Sequence, residues 1–301
     1  MNMKPHKFIS LFFTILLGLP AMQVGADTLE RVRANNTFTL GYLPDLAPFT
    51  SAESGTVNGY GIDLCLKVAD RLKAELGLND LEVVYLAVSE DTAGGAIQTG
   101  KIDILCTPTL ETLERRKSVS FSRPVYTAGL SVVVRKDAPA ALLRVLSGEA
   151  AHTGPTWRAT INQGLANHTY ATLEGGITED WIRDRMRRLG VIAQLATVGS
   201  HEDGMQLVAE GKADAFFAER MLLQNGLQKS RAGEQMMLLD TIFTFAPVAL
   251  ALERSDEDFR LLVDTVISQL YHSGEIEQMQ RKYLGELRGG ARLLFPVYAL
   301  P

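Results

Sequence analysis

One stretch of the chain places an arginine where an anion could bind. Arg115 follows the apolar run Ile102–Cys106, which is typical of a buried strand, and Thr112 stands shortly before it. Thr112 is a favourable helix N-cap, so the spacing predicts that Arg115 lies in the first turn of a helix at a strand end. The N–H groups of a first turn attract anions, and a guanidinium binds a carboxylate through two parallel hydrogen bonds. Because Arg116 and Lys117 follow directly, a solvated basic face is the alternative.

The segments around Arg115 alternate between strand and helix patterns, which predicts an α/β fold with mostly parallel sheets. Strands are predicted at 37–42, 81–87, 102–106, 119–121, 129–134, 169–173, 194–198, 213–218, 236–239 and 245–252. Helices are predicted at 29–34, 62–76, 178–189 and 201–210, with Thr28 and Thr178 as caps, and from Asp256 and Gly274. The tail from Arg288 is predicted to be irregular.

Two similar strand–helix units follow one another, and the second is predicted to be an insertion. Lobe 1 would comprise residues 27–134 and 247–301, and lobe 2 residues 135–246. Two hinge strands, near 131–135 and 245–252, would join the lobes. A cleft between two α/β lobes is where small ligands bind, and hinge closure is the expected motion.

The first residues have the pattern of an export signal. Lys4 and Lys7 precede the apolar run Phe8–Leu19, and small residues end at Ala26. This pattern predicts that residues 1–26 are a signal peptide and that the mature chain lies in the periplasm. The run is shorter than the about 20 residues of a membrane-spanning helix. An uncleaved N-terminal anchor is the alternative.

Two cysteines in an exported chain predict one disulfide, between Cys65 and Cys106. Asp63 and Cys65 stand at a helix start that should lie against the end of the strand Ile102–Cys106, which supports the pairing. Two buried free thiols are the alternative.

The charge and the remaining motifs argue against several classes of function. The formal charge is −5, and removal of residues 1–26 makes it −7 because two lysines and no acid are lost. A mildly acidic chain without a basic block argues against a nucleic-acid partner. The histidines have no metal-ligand spacing, so we expect no metal. Dinucleotide and phosphate-loop fingerprints are missing, and no nucleophile–base constellation indicates catalytic residues, so we expect no cofactor.

Five motifs occur in order: Gly41–Phe49, Gly59–Leu64, Thr112–Arg115 with Phe121–Tyr126, Gly211–Phe216 and Ser273–Glu275. Together they resemble extracellular solute-binding protein family 3, the amino-acid-binding proteins of bacterial ABC importers. The resemblance covers the whole chain after residue 26, and its length and tail are most similar to the glutamate/aspartate-binding branch. It implies a type II periplasmic-binding-protein fold. It also implies a monomer that hands an amino acid or related carboxylate to an ABC permease in the inner membrane.

The resemblance also implies a ligand site. Arg115 would pair with the ligand α-carboxylate, with Thr112 as a donor and Thr109 at the same strand end. In lobe 2, the backbone N–H groups of Gly176 and Ile177 would contact the carboxylate. Glu219 would hold the ammonium group. Alternatively, Glu219 is a first-turn helix acid, or its neighbour Arg220 neutralises it.

The side-chain pocket departs from the glutamate branch, which has an arginine where this chain has Leu43. An acidic ligand is therefore disfavoured, because an unpaired buried carboxylate is costly. Tyr42, Leu43, Phe49 and Tyr60 would form an apolar or aromatic wall. Core packing is an equal alternative for Tyr42 and Tyr60.

Two other functions stay open. The same scaffold resembles secreted cyclohexadienyl or arogenate dehydratases, for which Glu219 or Glu174 would be the general acid. A diffusible partner of a periplasmic signalling receptor is the third class.

Overall fold

The computed structural model describes residues 27–53, 55–148, 164–285 and 289–301. The predicted signal peptide, His152 and Arg288 lie outside the described residues. The strands are β1 Thr37–Tyr42, β2 Asp45–Leu46, β3 Thr50–Glu53, β4 Thr56–Asn58, β5 Glu82–Ala87, β6 Ile104–Leu110, β7 Val119–Phe121, β8 Tyr126–Arg135, β9 Thr169–Leu173, β10 Gln194–Val198, β11 Ala215–Glu219, β12 Met236–Leu238 and β13 Thr244–Glu253.

The α-helices in the same ranges are α1 Thr28–Asn35, α2 Tyr60–Leu76, α3 Glu90–Gln98, α4 Ala140–Leu146, α5 Ile177–Leu189, α6 His201–Ala209, α7 Arg220–Lys229, α8 Glu257–Ser273, α9 Glu275–Leu284 and α10 Phe295–Tyr298. Short 3₁₀ turns are found at Arg115–Lys117, Gly233–Gln235 and Gly289–Leu294. No helix among the described residues is both long enough and apolar enough to cross a membrane.

One sheet carries both predicted units. Its strand order is β10-β9-β11-β8-β13-β6-β1-β5, with β12 attached to β8 and β7 attached to β13. The strands β1, β5 and β6 pair in parallel, as do β9, β10 and β11, whereas β8 and β13 are antiparallel to their neighbours. This arrangement confirms the predicted α/β fold, in which two strands join two parallel units.

The pairing of β8 with β13 lies in the middle of this sheet, and we call the paired part the hinge ribbon. It runs from Tyr126 opposite Val248 to Leu130 opposite Thr244. From Leu130 onward, β8 pairs with β11 of the second unit. The lobe boundaries at 134/135 and 246/247 stay a prediction.

Each unit fixes its third strand through an aspartate at the equivalent position. In the first unit, Asp103 accepts the N–H of Thr39 at 2.8 Å and donates its own N–H to the Thr39 carbonyl at 2.9 Å. In the second unit, Asp214 accepts the N–H of Thr169 at 2.8 Å and donates to its carbonyl at 2.7 Å. These paired bonds set the register of β6 against β1 and of β11 against β9. They therefore decide where the carboxyl ends of these strands lie.

The disulfide prediction is confirmed, because Cys65 of α2 is bonded to Cys106 of β6. Both residues are fully buried. One turn before Cys65, a Cβ atom on Gly61 would come within 1.8 Å of the Cys106 carbonyl oxygen. Glycine is therefore required for α2 to approach β6 closely enough for the bond.

Several predicted boundaries were wrong. Asp27, and not Thr28, caps α1 by accepting the N–H of Glu30 at 2.8 Å. Gly176, and not Thr178, is the N-cap of α5. The last residues are not irregular, since Gly289–Leu294 forms a 3₁₀ turn and Phe295–Tyr298 forms α10.

Candidate functional site

Two strand ends face each other across the hinge ribbon. β6 runs along β13 to Leu110, which pairs with Val248, and Val248 pairs with Tyr126 of β8. β11 runs along β8 in the opposite direction and ends at Glu219, which pairs with Leu130. The two ends are thus separated by the stretch from Tyr126 to Leu130, about 13 Å along a strand. Such a gap at carboxyl strand ends is large enough for a small molecule.

Arg115 lies at the first of these strand ends. Its guanidinium donates from Nη1 to the carbonyl of Leu110, the last residue of β6, at 3.1 Å. The side chain is half-buried, whereas Arg116 and Lys117 are exposed and ion-paired with Glu111 and Glu114. The solvated basic face therefore consists of Arg116 and Lys117. Arg115 is held instead against the end of β6, where the bond to Leu110 uses one of its five N–H donors.

The α-helix predicted after Thr112 is replaced by the 3₁₀ turn Arg115–Lys117. Thr112 Oγ1 accepts the N–H of Arg115 at 3.1 Å, and the Thr112 carbonyl accepts the N–H of Arg116 at 2.9 Å. Both N–H groups are therefore satisfied within the turn. An anion at this end of β6 would be bound by the guanidinium rather than by a helix start.

β6 extends through Leu110 and does not end at Cys106 as predicted. The extension includes Thr107, whose hydroxyl accepts the N–H of Leu43 at 2.9 Å and lies 2.8 Å from the hydroxyl of Thr50. Thr50 donates to the carbonyl of Leu43 at 2.8 Å, so Thr107 must be the donor to Thr50. This closed ring ties the ends of β1, β3 and β6 together. Sequence reasoning missed Thr50.

Thr109 is bonded to that ring, and Leu43 is part of it. The hydroxyl of Thr109 donates to the Thr107 carbonyl at 3.0 Å, and its side chain is half-buried. Leu43 packs against the apolar cluster that includes Ile97 and Phe121. The residue that stands in place of the arginine of the glutamate branch therefore lies against the core of the first unit.

The predicted aromatic wall is divided between core and site. Tyr60 is fully buried, and its hydroxyl donates to the Val125 carbonyl at 2.5 Å, so the core interpretation is the correct one for this residue. Tyr42 is 6 % exposed and packs in the same cluster. Phe49 is equally buried, but its ring centre lies 5.5 Å from that of Tyr126 in the hinge ribbon. Phe49 therefore connects the first unit to the ribbon.

Glu219 lies at the second strand end, where β11 stops and α7 begins. Its carboxylate caps α7 by accepting the N–H groups of Met221 at 2.6 Å and Leu222 at 3.0 Å. The hydroxyl of Tyr126 donates to the other carboxylate oxygen at 3.4 Å. Burial raises the pKa of Glu219 to about 7, although these hydrogen bonds partly offset the desolvation. Near neutral pH the carboxyl group is therefore divided between its charged and uncharged forms.

Arg220 does not neutralise Glu219 in the way the sequence suggested as an alternative. Its side chain is almost fully buried, and its guanidinium donates to the Leu239 carbonyl at 2.6 Å and to Asp240 at 3.2 Å. Arg220 thus ties α7 to the segment after β12. The carboxylate of Glu219 is held instead by the start of its own helix and by Tyr126.

Gly176 and Ile177 stand at the start of α5 in the second unit. Gly176 has extended backbone angles, and Ile177 is 44 % exposed. Glu179 in the first turn accepts the N–H of Gly175 at 2.8 Å and is ion-paired with Arg183. A carboxylate of the chain itself therefore occupies part of the anion-binding capacity of this helix start.

The structure brings Phe49, Tyr126 and Glu219 into one continuous line of contacts. Met221 and Leu222, which follow Glu219, pack against the main core of the first unit. Sequence reasoning did not select Tyr126 as a site residue, although it ends the motif Phe121–Tyr126. Among the described residues, no group of His, Cys, Asp and Glu side chains could hold a metal ion.

Comparison with known proteins gives consistent findings. The family model for "Bacterial extracellular solute-binding proteins, family 3" matches residues 38–286. The L-glutamate/L-aspartate-binding protein of Pseudomonas aeruginosa is 26 % identical over 94 % of this chain and 88 % of its own length. The probable amino-acid-binding protein YxeM of Bacillus subtilis is 23 % identical over 94 % of this chain and 97 % of its own.

Two solved structures confirm the predicted type II periplasmic-binding-protein fold. The first is the ancestral amino acid-binding protein AncCDT-1, described as a precursor of cyclohexadienyl dehydratase. Its TM-score is 0.67 and its sequence identity 22 %, and the match covers 86 % of this chain and 99 % of that one. The second is the amino acid ABC transporter substrate-binding protein AbpA of Streptococcus pneumoniae bound to L-arginine. Its TM-score is 0.64, with 20 % identity and coverage of 84 % and 96 %.

We expect the substitution Glu219→Gln to flatten the pH dependence of stability. The pKa of Glu219 in the folded chain, about 7, lies above its ordinary value of 4.5. The unfolded chain therefore loses this proton first as the pH rises, and the free energy of unfolding falls between about pH 4.5 and 7, by about 1–3 kcal/mol. Urea denaturation at pH 5.0 and 7.5 measures the difference between the wild type and the variant. The control is Glu174→Gln, which changes an exposed acid. If the unfolding free energy changed equally between the two pH values in all three proteins, the raised pKa of Glu219 would be contradicted.

Proposed function

The chain belongs to the bacterial extracellular solute-binding proteins, family 3, and we propose that it captures a small α-amino acid between the two strand ends. Arg115 pairs with the α-carboxylate at the end of β6, with the Thr112 and Thr109 hydroxyls beside it. Glu219 holds the ammonium group from the end of β11. The position of Arg115, half-buried and hydrogen-bonded to the last carbonyl of β6, is the observation that carries the proposal.

Electrostatics supports this orientation of the ligand. A guanidinium at one strand end and a carboxyl group at the other form a dipole that complements a zwitterion. An ammonium group close to Glu219 favours its charged form, so binding lowers the pKa of Glu219 from about 7 and converts it to the carboxylate. In lobe 2, the N–H groups of Gly176 and Ile177 complete the carboxylate site.

The ligand side chain is proposed to be neutral. Leu43, Pro108 and Leu110 provide apolar side chains around the end of β6, and Leu43 packs into an apolar cluster. A carboxylate buried against such side chains would lack a partner, and its desolvation would be costly. The relative from Pseudomonas aeruginosa is named for glutamate and aspartate, so this chain is proposed to differ from that relative in its ligand.

Delivery and location follow from the family. We propose that residues 1–26 are removed on export and that the mature chain acts in the periplasm as a monomer. The loaded protein would pass its ligand to an ABC permease in the inner membrane. Two relatives support this role: one is named as a glutamate/aspartate import solute-binding protein and the other as an ABC transporter glutamine-binding protein.

A panel of twenty amino acids should separate neutral from acidic ligands. We expect at least one neutral amino acid to raise the melting temperature of the purified protein at millimolar concentration, because a ligand that binds only the folded state stabilises it. Glutamate and aspartate should produce a smaller shift. Differential scanning fluorimetry is the measurement. A larger shift with glutamate than with any neutral amino acid would overturn the proposed side-chain class and leave the Arg115 site intact.

The substitution Arg115→Ala should weaken binding of the ligand found in that panel by about 2–4 kcal/mol, because it leaves the ligand carboxylate without its charged partner. Isothermal titration calorimetry measures the dissociation constant. The neighbouring variant Arg116→Ala removes an exposed arginine and should change the affinity by less than about 3-fold. Equal affinities for both variants and the wild type would refute the site, provided that circular dichroism shows all three to be folded.

One observation favours a second candidate function, an enzyme of the cyclohexadienyl or arogenate dehydratase type. The pKa of Glu219, near 7, is suitable for a general acid, and Glu219 lies at a strand end beside Tyr126. We nevertheless expect no turnover when the protein is incubated with prephenate or arogenate. Absorbance of the aromatic product is the measurement, and product formation that Glu219→Gln abolishes would establish the enzyme.

A further inference from the structure

Side chains from separate parts of the chain bond the residues that lead into β8. The hydroxyl of Tyr271 in α8 donates to the Pro124 carbonyl at 2.8 Å. The hydroxyl of Tyr60 in α2 donates to the Val125 carbonyl at 2.5 Å. Gln280 in α9 donates to the same carbonyl at 3.0 Å. Three helices of the first unit therefore fix the two residues before the hinge ribbon.

The first two residues of β8, Tyr126 and Thr127, are held by other parts of the chain. Tyr126 donates to Glu219 of the second unit, as described above. The hydroxyl of Thr127 lies 2.8 Å from the hydroxyl of Tyr298. Tyr298 belongs to the last part of the chain, residues 295–301, which we call the C-terminal strap. The strap therefore reaches the hinge ribbon itself.

The C-terminal strap is fastened to α8. The N–H of Leu300 donates to the Ser268 hydroxyl at 3.0 Å, and the Leu300 carbonyl lies 2.7 Å from Nε2 of His272. The ring of Tyr271 packs between two aromatic rings of the strap, with ring centres at 5.1 Å to Phe295 and 6.0 Å to Tyr298. Backbone and aromatic contacts thus hold the strap to the first unit.

Arg123, which directly precedes Pro124, provides a second attachment for the strap. Its guanidinium donates to the carbonyls of Tyr298 at 2.8 Å and Val297 at 2.7 Å. Its backbone N–H donates to Asp264 of α8 at 2.7 Å. The strap therefore contacts the chain on both sides of Pro124, at Arg123 and at Thr127.

These contacts shorten the part of β8 that is free to bend. A hinge moves through dihedral changes at a few residues where the chain passes between two rigid parts. The chain passes to the second unit at Leu130, where the pairing changes from β13 to β11. A bond that fixes Thr127 to α8 through Tyr298 confines this bending to Ala128, Gly129 and Leu130.

We propose that the C-terminal strap is a hinge restraint. Its Tyr298–Thr127 hydrogen bond biases the two lobes toward the arrangement in which Tyr126 contacts Glu219 and α7 packs on the first unit. This role concerns lobe motion and does not depend on which ligand is bound. An arrangement that also bends at Thr127 loses this bond, so the bond shifts the ratio of the two arrangements by about 3-fold.

Spin labels at two exposed positions test the restraint in the full chain without ligand. The labels are introduced by Ala74→Cys in α2 and Glu202→Cys in α6, one in each lobe. Pulsed electron–electron double resonance then gives the distribution of distances between the two spin labels. In Tyr298→Phe and in Thr127→Val, we expect the population outside the main wild-type peak to rise about 3-fold. The double variant should match the single variants, because both substitutions remove the same bond. Thr127→Ser keeps the hydroxyl and should give the wild-type distribution.

The variant Tyr283→Phe is the matched control. It also removes a tyrosine hydroxyl bond, of 2.9 Å to Asp63, but within the first unit and away from the hinge ribbon. Its distance distribution should equal that of the wild type. The proposal is overturned if Tyr298→Phe and Thr127→Val also match the wild type, or if Tyr283→Phe changes the distribution as much as they do. Because no ligand is used, failure of the proposed amino-acid site would leave this result unaffected.

Discussion

The antiparallel pairing of β8 with β13 is the constraint on which the arrangement of the molecule depends. Five residue pairs, from Tyr126 opposite Val248 to Leu130 opposite Thr244, join the two parallel units. Because β6 runs along β13 and β11 runs along β8 in the opposite sense, their carboxyl ends approach each other from opposite sides. The length of the ribbon therefore sets the width of the gap between the strand ends. Side chains at both ends of the ribbon would contribute to the proposed ligand site.

Much of this framework follows from patterns that are local in sequence. The bounds predicted for β9 and β10 agree with the structure, because short runs that contain β-branched or aromatic residues and end at turn residues indicate strands. The repeated unit is also visible, since Gly100–Asp103 and Gly211–Asp214 occupy equivalent positions before β6 and β11. In both, an aspartate bonds the first strand of its unit. The disulfide could be predicted because two cysteines allow only one pairing.

The errors occur where distant segments decide the outcome. The strand β6 is predicted to end at Cys106, where the apolar run Ile102–Cys106 stops two residues before Pro108. In the structure, the pairing of β13 with β6 shifts register between Ala249 and Ala251, and β6 continues past the proline to Leu110. Arg220 stands beside Glu219 in sequence, yet its guanidinium bonds Leu239, a long-range contact that no local pattern indicates.

Tyr126 connects the proposed ligand site to the proposed hinge. Its ring contacts Phe49 of the first unit, its hydroxyl contacts Glu219 of the second, and its backbone belongs to the hinge ribbon. A ligand that changes the charge of Glu219 also changes the strength of the Tyr126 hydrogen bond, since bonds to a charged acceptor are stronger. Under the proposed function, ligand binding and hinge position would then be linked, and by reciprocity any restraint on β8 would alter the affinity at Glu219. The strap at Thr127, one residue further along the strand, is in the position to exert such an effect.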